Sequence, residues 1–332
     1  AEQALWMAVY DQAFDRRTRA EADIIYGNED RAQGYVKEAR GLLAGLDEKT
    51  SQRKKTWGDL DASLKELETK LRREIHLDHP RQLLSGVGMD RAKLVTTWKH
   101  RPYALSQDGE SLINLDATLG TRRIPLPATS GTPIGITAGT NEMLILTKSQ
   151  KLIRIDPERL TAKQVSLGMT HASGSQAIHL YNRKLYSLDP ASNMVWKYNA
   201  QADGFGSETT YLKQTSTDLR NTIGITIDAN IYVANQNGLV TRYLSGVQES
   251  WSLRPIDPPL TSISGIWTDP DTDRLVVADL VGKRVLVFHK DGQLIAQISS
   301  ADFQGPEAVS GDGAQKKIYL VDQQRLFSLD LP

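Results

Sequence analysis

Asp269, Asp271 and Asp273 stand at alternate positions in the segment DPDTD, and His76, Asp78 and His79 crowd the segment EIHLDHP. Carboxylates at every second position are how an acidic loop surrounds calcium, and imidazoles beside a carboxylate are ordinary zinc ligands. In the first segment, however, Arg274 stands where a calcium loop needs glycine, and no glutamate follows at the right spacing. The second lies where a helical stretch runs into Pro80, and a histidine at a helix C-terminus interacts favourably with the helix dipole without any metal. The two segments are read as a solvated turn and a helix exit, and no metal or other cofactor is expected. The chain carries no G-x-S-x-G, G-x-x-x-x-G-K, H-E-x-x-H or G-x-G-x-x-G signature. With no cysteine in 332 residues, disulfides, thiol catalysis and cysteine-bound zinc are excluded as well.

The elements that would position a site fall into two regions. Apolar residues make up 39% and charged residues 24% of the chain, a globular composition. Forty basic residues balance forty acidic ones, of which fourteen and sixteen lie in residues 1–80, leaving 26 and 24 beyond. Neither region has the positive surplus of a general nucleic-acid binder. No apolar run reaches the ~18 residues of a membrane span, and no signal-peptide core is visible. The chain opens at Ala1, without methionine, directly into a helix-like segment, so it is expected to be a trimmed part of something longer.

Residues 1–80 are rich in Ala, Leu, Glu, Lys and Arg, all strong helix formers. Breaks at GNED (27–30) and GLDEKTS (45–51) predict helices over 2–26, 29–46 and 50–76, with Gly27 as a C-cap and Asn28 as an N-cap. Trp57, Leu60, Leu64, Leu67 and Leu71 follow at spacings of 3, 4, 3 and 4, a coiled-coil seam about two heptads long. It either packs on the preceding helices or supports helical self-association.

From residue 81 onward, Val, Ile, Leu, Tyr and Thr alternate with polar residues, punctuated by Gly, Asn, Asp and Pro, as short strands require. PIGITAG, SQAIHLY, TIGITID, ISGIWTD and GPEAVSG recur at intervals of 41, 48, 41 and 41 residues, and one step back lies AKLVTTW. Each unit continues with a second strand such as NIYVAN or RLVVAD, a third such as LVTRYL or RVLVFH, and in most units a fourth such as QLIAQI. A period near 40 with four strands per unit predicts propeller blades. The expected fold is mainly β: a six-bladed β-propeller over 81–332 behind an all-α, three-helix region over 1–80. Because the last unit has only three strands before Pro332, residues 83–87 are expected to supply its outer strand and close the ring.

The segment SGIWTDPDTDRLVVADLVGKRVLVFHKDGQL resembles an NHL-type repeat, and YGNEDRAQGYVKEAR resembles a tetratricopeptide hairpin. The NHL resemblance is close for two units and looser for the other four. It implies a ring whose loops between blades, and between second and third strands, form a recognition face. Those loops hold His171, Arg220, Asn221, Asp302, Phe303 and Glu307, and Gln107, Asp108, Lys148, Asn193, Asn235, Asn237, Asp279, Lys283, Gln323 and Arg325. From these, His171, Arg220, Asn221, Asn235, Asn237, Asp279, Lys283, Asp302, Phe303, Glu307, Gln323 and Arg325 are the candidate ligand-binding set. Amides, both charge signs and an aromatic suit a polar partner: a protein, a peptide or a glycan. Such rings resemble extracytoplasmic sensor parts of bacterial membrane signalling proteins of kinase or phosphatase type. Two alternatives stay open: a calcium-dependent lactonase-like hydrolase using Glu307, Asn221 and Asn235, and an RNA-binding ring.

Overall fold

The computed structural model describes residues 2–116, 120–128, 131–170, 174–213 and 218–332. It divides into two compact units, Ala1–Glu74 and Ile75–Pro332.

The first unit holds α1 (Glu2–Ile25), α2 (Glu29–Ala44) and α3 (Ser51–Leu71). Gly27 turns the chain after α1 at φ 75°, in the left-handed region that only glycine enters without strain. Asn28 makes no side-chain cap; its amide points back to Asp23, 3.4 Å away. The side-chain cap falls at α3 instead, where Thr50 Oγ1 accepts from the Arg53 amide at 3.1 Å. Ala13 and Ala20 of α1 meet Ala32 and Ala39 of α2, all fully buried, and such small side chains bring the two backbones close. Leu60, Leu64, Leu67 and Leu71 complete this core, and the half-buried Trp57 packs on it while donating its indole N–H to the Leu43 carbonyl at 3.0 Å. The leucine seam is thus consumed inside the unit, which corrects the expectation that it supports self-association. Helix α3 also stops at Leu71, short of residue 76, because Arg73 takes a φ of 53° and the chain continues as the strand Glu74–His76.

The second unit is a succession of antiparallel meanders. Their innermost strands are Ala92–Trp98, Pro133–Ala138, Ala177–Tyr181, Thr222–Ile227, Gly265–Trp267 and Pro306–Asp312. Each lies against the next in chain order, and the last lies against the first, so the series closes on itself. Within a meander, alternate side chains serve opposite faces. In the hairpin Arg274–Asp279 and Arg284–His289, Val276, Ala278, Val285 and Val287 join the core on one side. Leu275, Val277, Leu286 and Phe288 join the core on the other. Burial on both faces explains why the second strands read as unbroken apolar runs.

Two edges come from early in the chain. The strand Arg81–Leu84 pairs antiparallel with Arg325–Asp330, setting Arg81 opposite Ser328 and Leu84 opposite Leu326. It begins two residues before the expected 83–87 segment and ends by Leu84, since Gly86 turns the chain at φ 75°. Glu74–His76 borders Leu294–Ser299, and the Leu77 amide donates to the Ser299 carbonyl at 2.8 Å. One irregular excursion, Gly204–Ser207, runs parallel to Thr161–Gly168 and bridges two meanders. A Cβ on Gly204 would sit 2.1 Å from the Ser166 carbonyl oxygen, so only glycine permits that approach. No helix among the described residues is long and apolar enough to cross a membrane.

Candidate functional site

The innermost strands enclose a cavity of about 320 Å³. Thr96, Thr137, Thr226 and Ser310 take one repeated position, opposite Tyr103, Leu144, Tyr232 and Tyr319; His179 and Trp267 take it on the remaining strands, opposite Tyr186 and Val276. All six side chains line the cavity. The hydroxyls tie together strands that belong to different meanders. Thr137 Oγ1 accepts from the Leu180 amide at 2.9 Å. Thr226 Oγ1 accepts from the Thr268 amide at 3.1 Å and donates to the Thr268 carbonyl at 3.2 Å.

His179 is the one ionisable side chain at that repeated position. Burial lowers its pKa to about 4, against the opposing pull of Asp228 and of a hydrogen bond to the Ile227 backbone. The imidazole is therefore neutral at pH 7, a donor at one nitrogen and an acceptor at the other. Below the ordinary histidine pKa of about 6.5 the unfolded chain takes up a proton that the folded one refuses. Stability should be fully present above pH 6.5 and decline as pH falls towards 4, by up to about 3 kcal/mol. Urea melts across this range should show a shallower slope for His179→Gln than for the unsubstituted protein.

The cavity opens where the innermost strands end. Lys99, His100, Asp269, Asp271 and Asp312 stand at that mouth. His100 Nδ1 lies 2.9 Å from Asp312 Oδ2. Asp269 accepts from the amides of Asp271 at 2.8 Å and Gly313 at 3.0 Å. Burial, and then the Asp271 and Asp312 carboxylates, push its pKa up despite these bonds. Beside the mouth is a hollow of about 840 Å³, lined among others by the Glu142–Arg154 ion pair, Asn182, Arg183 and Gln201. Leu180, Tyr181 and Pro270 line both spaces. Two tight turns present side chains here: Lys99–His100 at φ 46° and 63°, and Asn182–Arg183 at 48° and 58°. Left-handed backbone at both central positions normally selects Asn or Gly. Lysine, histidine and arginine there carry strain of order 1 kcal/mol or more each.

The residues expected to bind ligand lie elsewhere. Arg220 and Asn221 precede an innermost strand, and Asp302, Phe303 and Glu307 lie before or at the start of another, at the end opposite this mouth. His171 falls outside the described residues. Arg220 is held by Asp218 at 2.8 Å, and Arg325 donates to the Asp302 carbonyl at 2.7 Å. Arg220, Asn221, Asn237, Lys283, Glu307 and Gln323 are exposed.

Three of the set are corrected by their burial. Phe303 is 2% exposed and packs edge-on against Phe327. Asp279 is 1% exposed and bound by Arg284 at 2.8 Å. Asn235 turns its side-chain oxygen to the Asn237 amide at 3.1 Å. The physical reason is shared: Asp189, Asn235, Asp279 and Asp322 end successive second strands, and each accepts from backbone amides of the loops there. Their recurrence in the repeat marks loop anchors, a signal already visible in VAN, VAD and LVD.

Asp273 is engaged by Arg274 and lies 3.3 Å from His289 Nδ1, while Asp269 faces amides. His76 is exposed on an edge strand, 3.3 Å from Ser299 Oγ and 3.8 Å from Asp78. Among the described residues no three acidic or imidazole side chains converge as ligands.

No family model and no curated protein matches the chain. Solved structures do. A streptogramin B lyase aligns over 76% of this chain and 98% of its own at 13% identity and a TM-score of 0.53. The WD40 β-propeller domain of Doa1 aligns over 76% and 97% at 10% identity and a TM-score of 0.52. The β-propeller domain of Cps50 (Swd1) from Myceliophteria thermophila aligns over 73% and 97% at 7% identity and a TM-score of 0.54. These likenesses are of fold: the strand-rich part of the chain is a β-propeller.

Proposed function

We propose that the strand-rich unit is a six-bladed, NHL-type ring acting as a non-catalytic recognition module for a protein, a peptide or a glycan. It would bind at the end where the axial cavity opens. The observation that carries this reading is the adjacency of the axial cavity and the neighbouring hollow, which share Leu180, Tyr181 and Pro270 in their walls. Together they give a concave polar surface on which strained turns hold His100 and Arg183 outward. Similar rings carry out unrelated tasks, as a lyase and WD40 domains illustrate, so the fold alone does not choose among them. The acidic mouth disfavours RNA, because Asp269, Asp271 and Asp312 repel phosphates. A lactonase-like metal site would need Asn235, whose oxygen is committed to its own loop. An extracytoplasmic sensor role, with a tetratricopeptide-like helical part, rests on the sequence resemblance alone.

The test is a screen of the protein on peptide and glycan arrays. A partner bound by the unsubstituted ring should be lost at least about tenfold with Arg183→Glu or Tyr181→Ala, the scale of a binding hot spot. It should be retained with Lys283→Glu at the opposite end. Partners lost only with Lys283→Glu would overturn the placement.

A further inference from the structure

The wall of the axial cavity differs from one side to the other. Thr137 and Thr226 spend their hydroxyls on the backbone of Leu180 and Thr268. Trp267, Ser310 and Thr96, on three adjoining innermost strands, do not: their indole N–H and hydroxyls bond nothing among the described residues. All three are more than nine-tenths buried, at 8%, 6% and 7% exposed. Thr97 Oγ1, Trp98 Nε1, Asn114 Oδ1 and Tyr232 Oη also lack partners, but each is sealed from any space a ligand could enter. The polar atoms of Trp267, Ser310 and Thr96 are not sealed, and they open onto the cavity that these residues line. Buried polar groups without a protein partner are uncommon and call for something else to satisfy them. Gly311 fixes the indole in place, since a Cβ there would meet the Trp267 ring at 2.7 Å.

Carboxylates stand above the same wall. Asp269 and Asp312 follow Trp267 and Ser310 by two residues and line the cavity at its mouth, with Asp271 beside them. Asp312 has His100 at 2.9 Å, and Asp269 has only the two backbone amides described above. Neither Asp269 nor Asp271 enters an ion pair among the described residues. The cations nearby are already engaged, Lys99 by Glu158 at 2.7 Å and Lys290 by Asp228 at 2.6 Å. This wall therefore offers hydroxyls and an N–H in its depth and negative charge at its rim.

We infer that the axial cavity is a site for a small hydroxylated ammonium ion, with amino sugars as the fitting class. Ligand hydroxyls bond Trp267 Nε1, Ser310 Oγ and Thr96 Oγ1, while the ammonium is drawn to Asp269 and Asp271. Water alone satisfies the hydroxyls but brings no charge to the carboxylates. A volume of about 320 Å³ is at the small end of ligand pockets, about 300–1,000 Å³, and suits one ring better than a chain. The inference rests on the proposed binding end of the ring and narrows the chemistry of what enters there.

D-Glucosamine is the probe, at about pH 6.5, where its amine is protonated. D-Glucose and N-acetyl-D-glucosamine keep the ring without the charge, and ethylammonium keeps the charge without the hydroxyls. Binding is followed by calorimetry and by the indole N–H resonance of Trp267 in 15N-labelled protein, assigned with Trp267→Phe. Glucosamine should move that resonance and bind with a Kd of about 1 mM or tighter, while the controls at the same concentration should not. Asp271→Asn, at an exposed position, should weaken glucosamine about tenfold, as loss of a charge-assisted bond does. Ser310→Ala should weaken it about fivefold. Neither change should lower the melting temperature, because neither side chain is bonded within the fold. The inference is overturned if glucosamine leaves the indole resonance unmoved at about 10 mM, if any control moves it equally, or if both variants bind as the parent does. It fails separately from the recognition reading: an array partner lost with Arg183→Glu, in a protein that ignores glucosamine, keeps the recognition face and removes the amino-sugar site. Glucosamine binding without any array partner does the reverse.

Discussion

Replacing Arg284 by alanine should destabilise the ring by about 3–5 kcal/mol, more than any surface change. Arg284 is 6% exposed and Asp279 1%, so neither charge is solvated by water. The guanidinium donates to Asp279 Oδ2 at 2.8 Å, to Gln297, and to the carbonyls of Pro258 and Pro259 at 2.8 and 3.1 Å. Alanine removes all of these at once and leaves a buried carboxylate facing the Gly282 amide, 3.0 Å from Asp279 Oδ1. The pair need not be net stabilising relative to an apolar substitute, but breaking it from one side is expensive. The double change Arg284→Ala with Asp279→Ala should therefore recover part of the loss. Urea denaturation of the three proteins, read on the β-sheet signal, checks the prediction. A single variant within about 1 kcal/mol of the parent would show that water reaches the carboxylate.

The second large effect concerns Phe303. Phe303→Ala should cost about 3–5 kcal/mol, the usual range for deleting a buried aromatic ring. Phe303 is 2% exposed, within a core that includes Val309, Leu320 and Phe327. The rings of Phe303 and Phe327 meet at 65° with centroids 5.7 Å apart, an edge-to-face contact that alanine cannot replace. A ligand-contacting phenylalanine would behave differently, losing affinity with little change in melting. Thermal melting of Phe303→Ala distinguishes the two roles: a drop of several degrees marks the core role, and an unchanged transition would return the residue to the surface.

Both residues illustrate how far sequence reading reaches. Asp279 and Phe303 lie in loops or at strand ends, where polar and aromatic residues often serve binding, and position alone favoured a contact role. What sequence position does not convey is direction. Asp279 points along its own loop to the Gly282 amide, and Phe303 points down between two sheets. The recurrence of Asp or Asn at positions 189, 235, 279 and 322 offered a signal against a ligand role, since a ring seldom needs one contact so many times over. Orphaned Trp98 and Asn114 illustrate the converse. Each looks like an ordinary strand residue, and only the assembled neighbourhood shows that their polar atoms meet nothing.

The repeat interval gives the same lesson in the backbone. The 48-residue step among steps of 41 was visible in the chain, but the excursion Gly204–Ser207 inside that unit, running parallel to the preceding meander, was not. Periodicity reports how many residues a unit contains, and the pairing that absorbs the surplus depends on partners distant in sequence.

By itself the sequence determined the local grammar: helix formers before Pro80, then alternating strands with turn residues at fixed intervals, and a leucine seam on α3. Those features follow from short-range sterics and from the periods of helix and strand, which every segment carries with it. The tertiary structure alone decided which end of the ring is hollow, which polar side chains are occupied by their own loops, and that α3 keeps its seam for its own unit. These depend on contacts between residues tens to hundreds of positions apart, such as His100 with Asp312 or Arg81 with Ser328, and such contacts exist only once the innermost strands close upon one another.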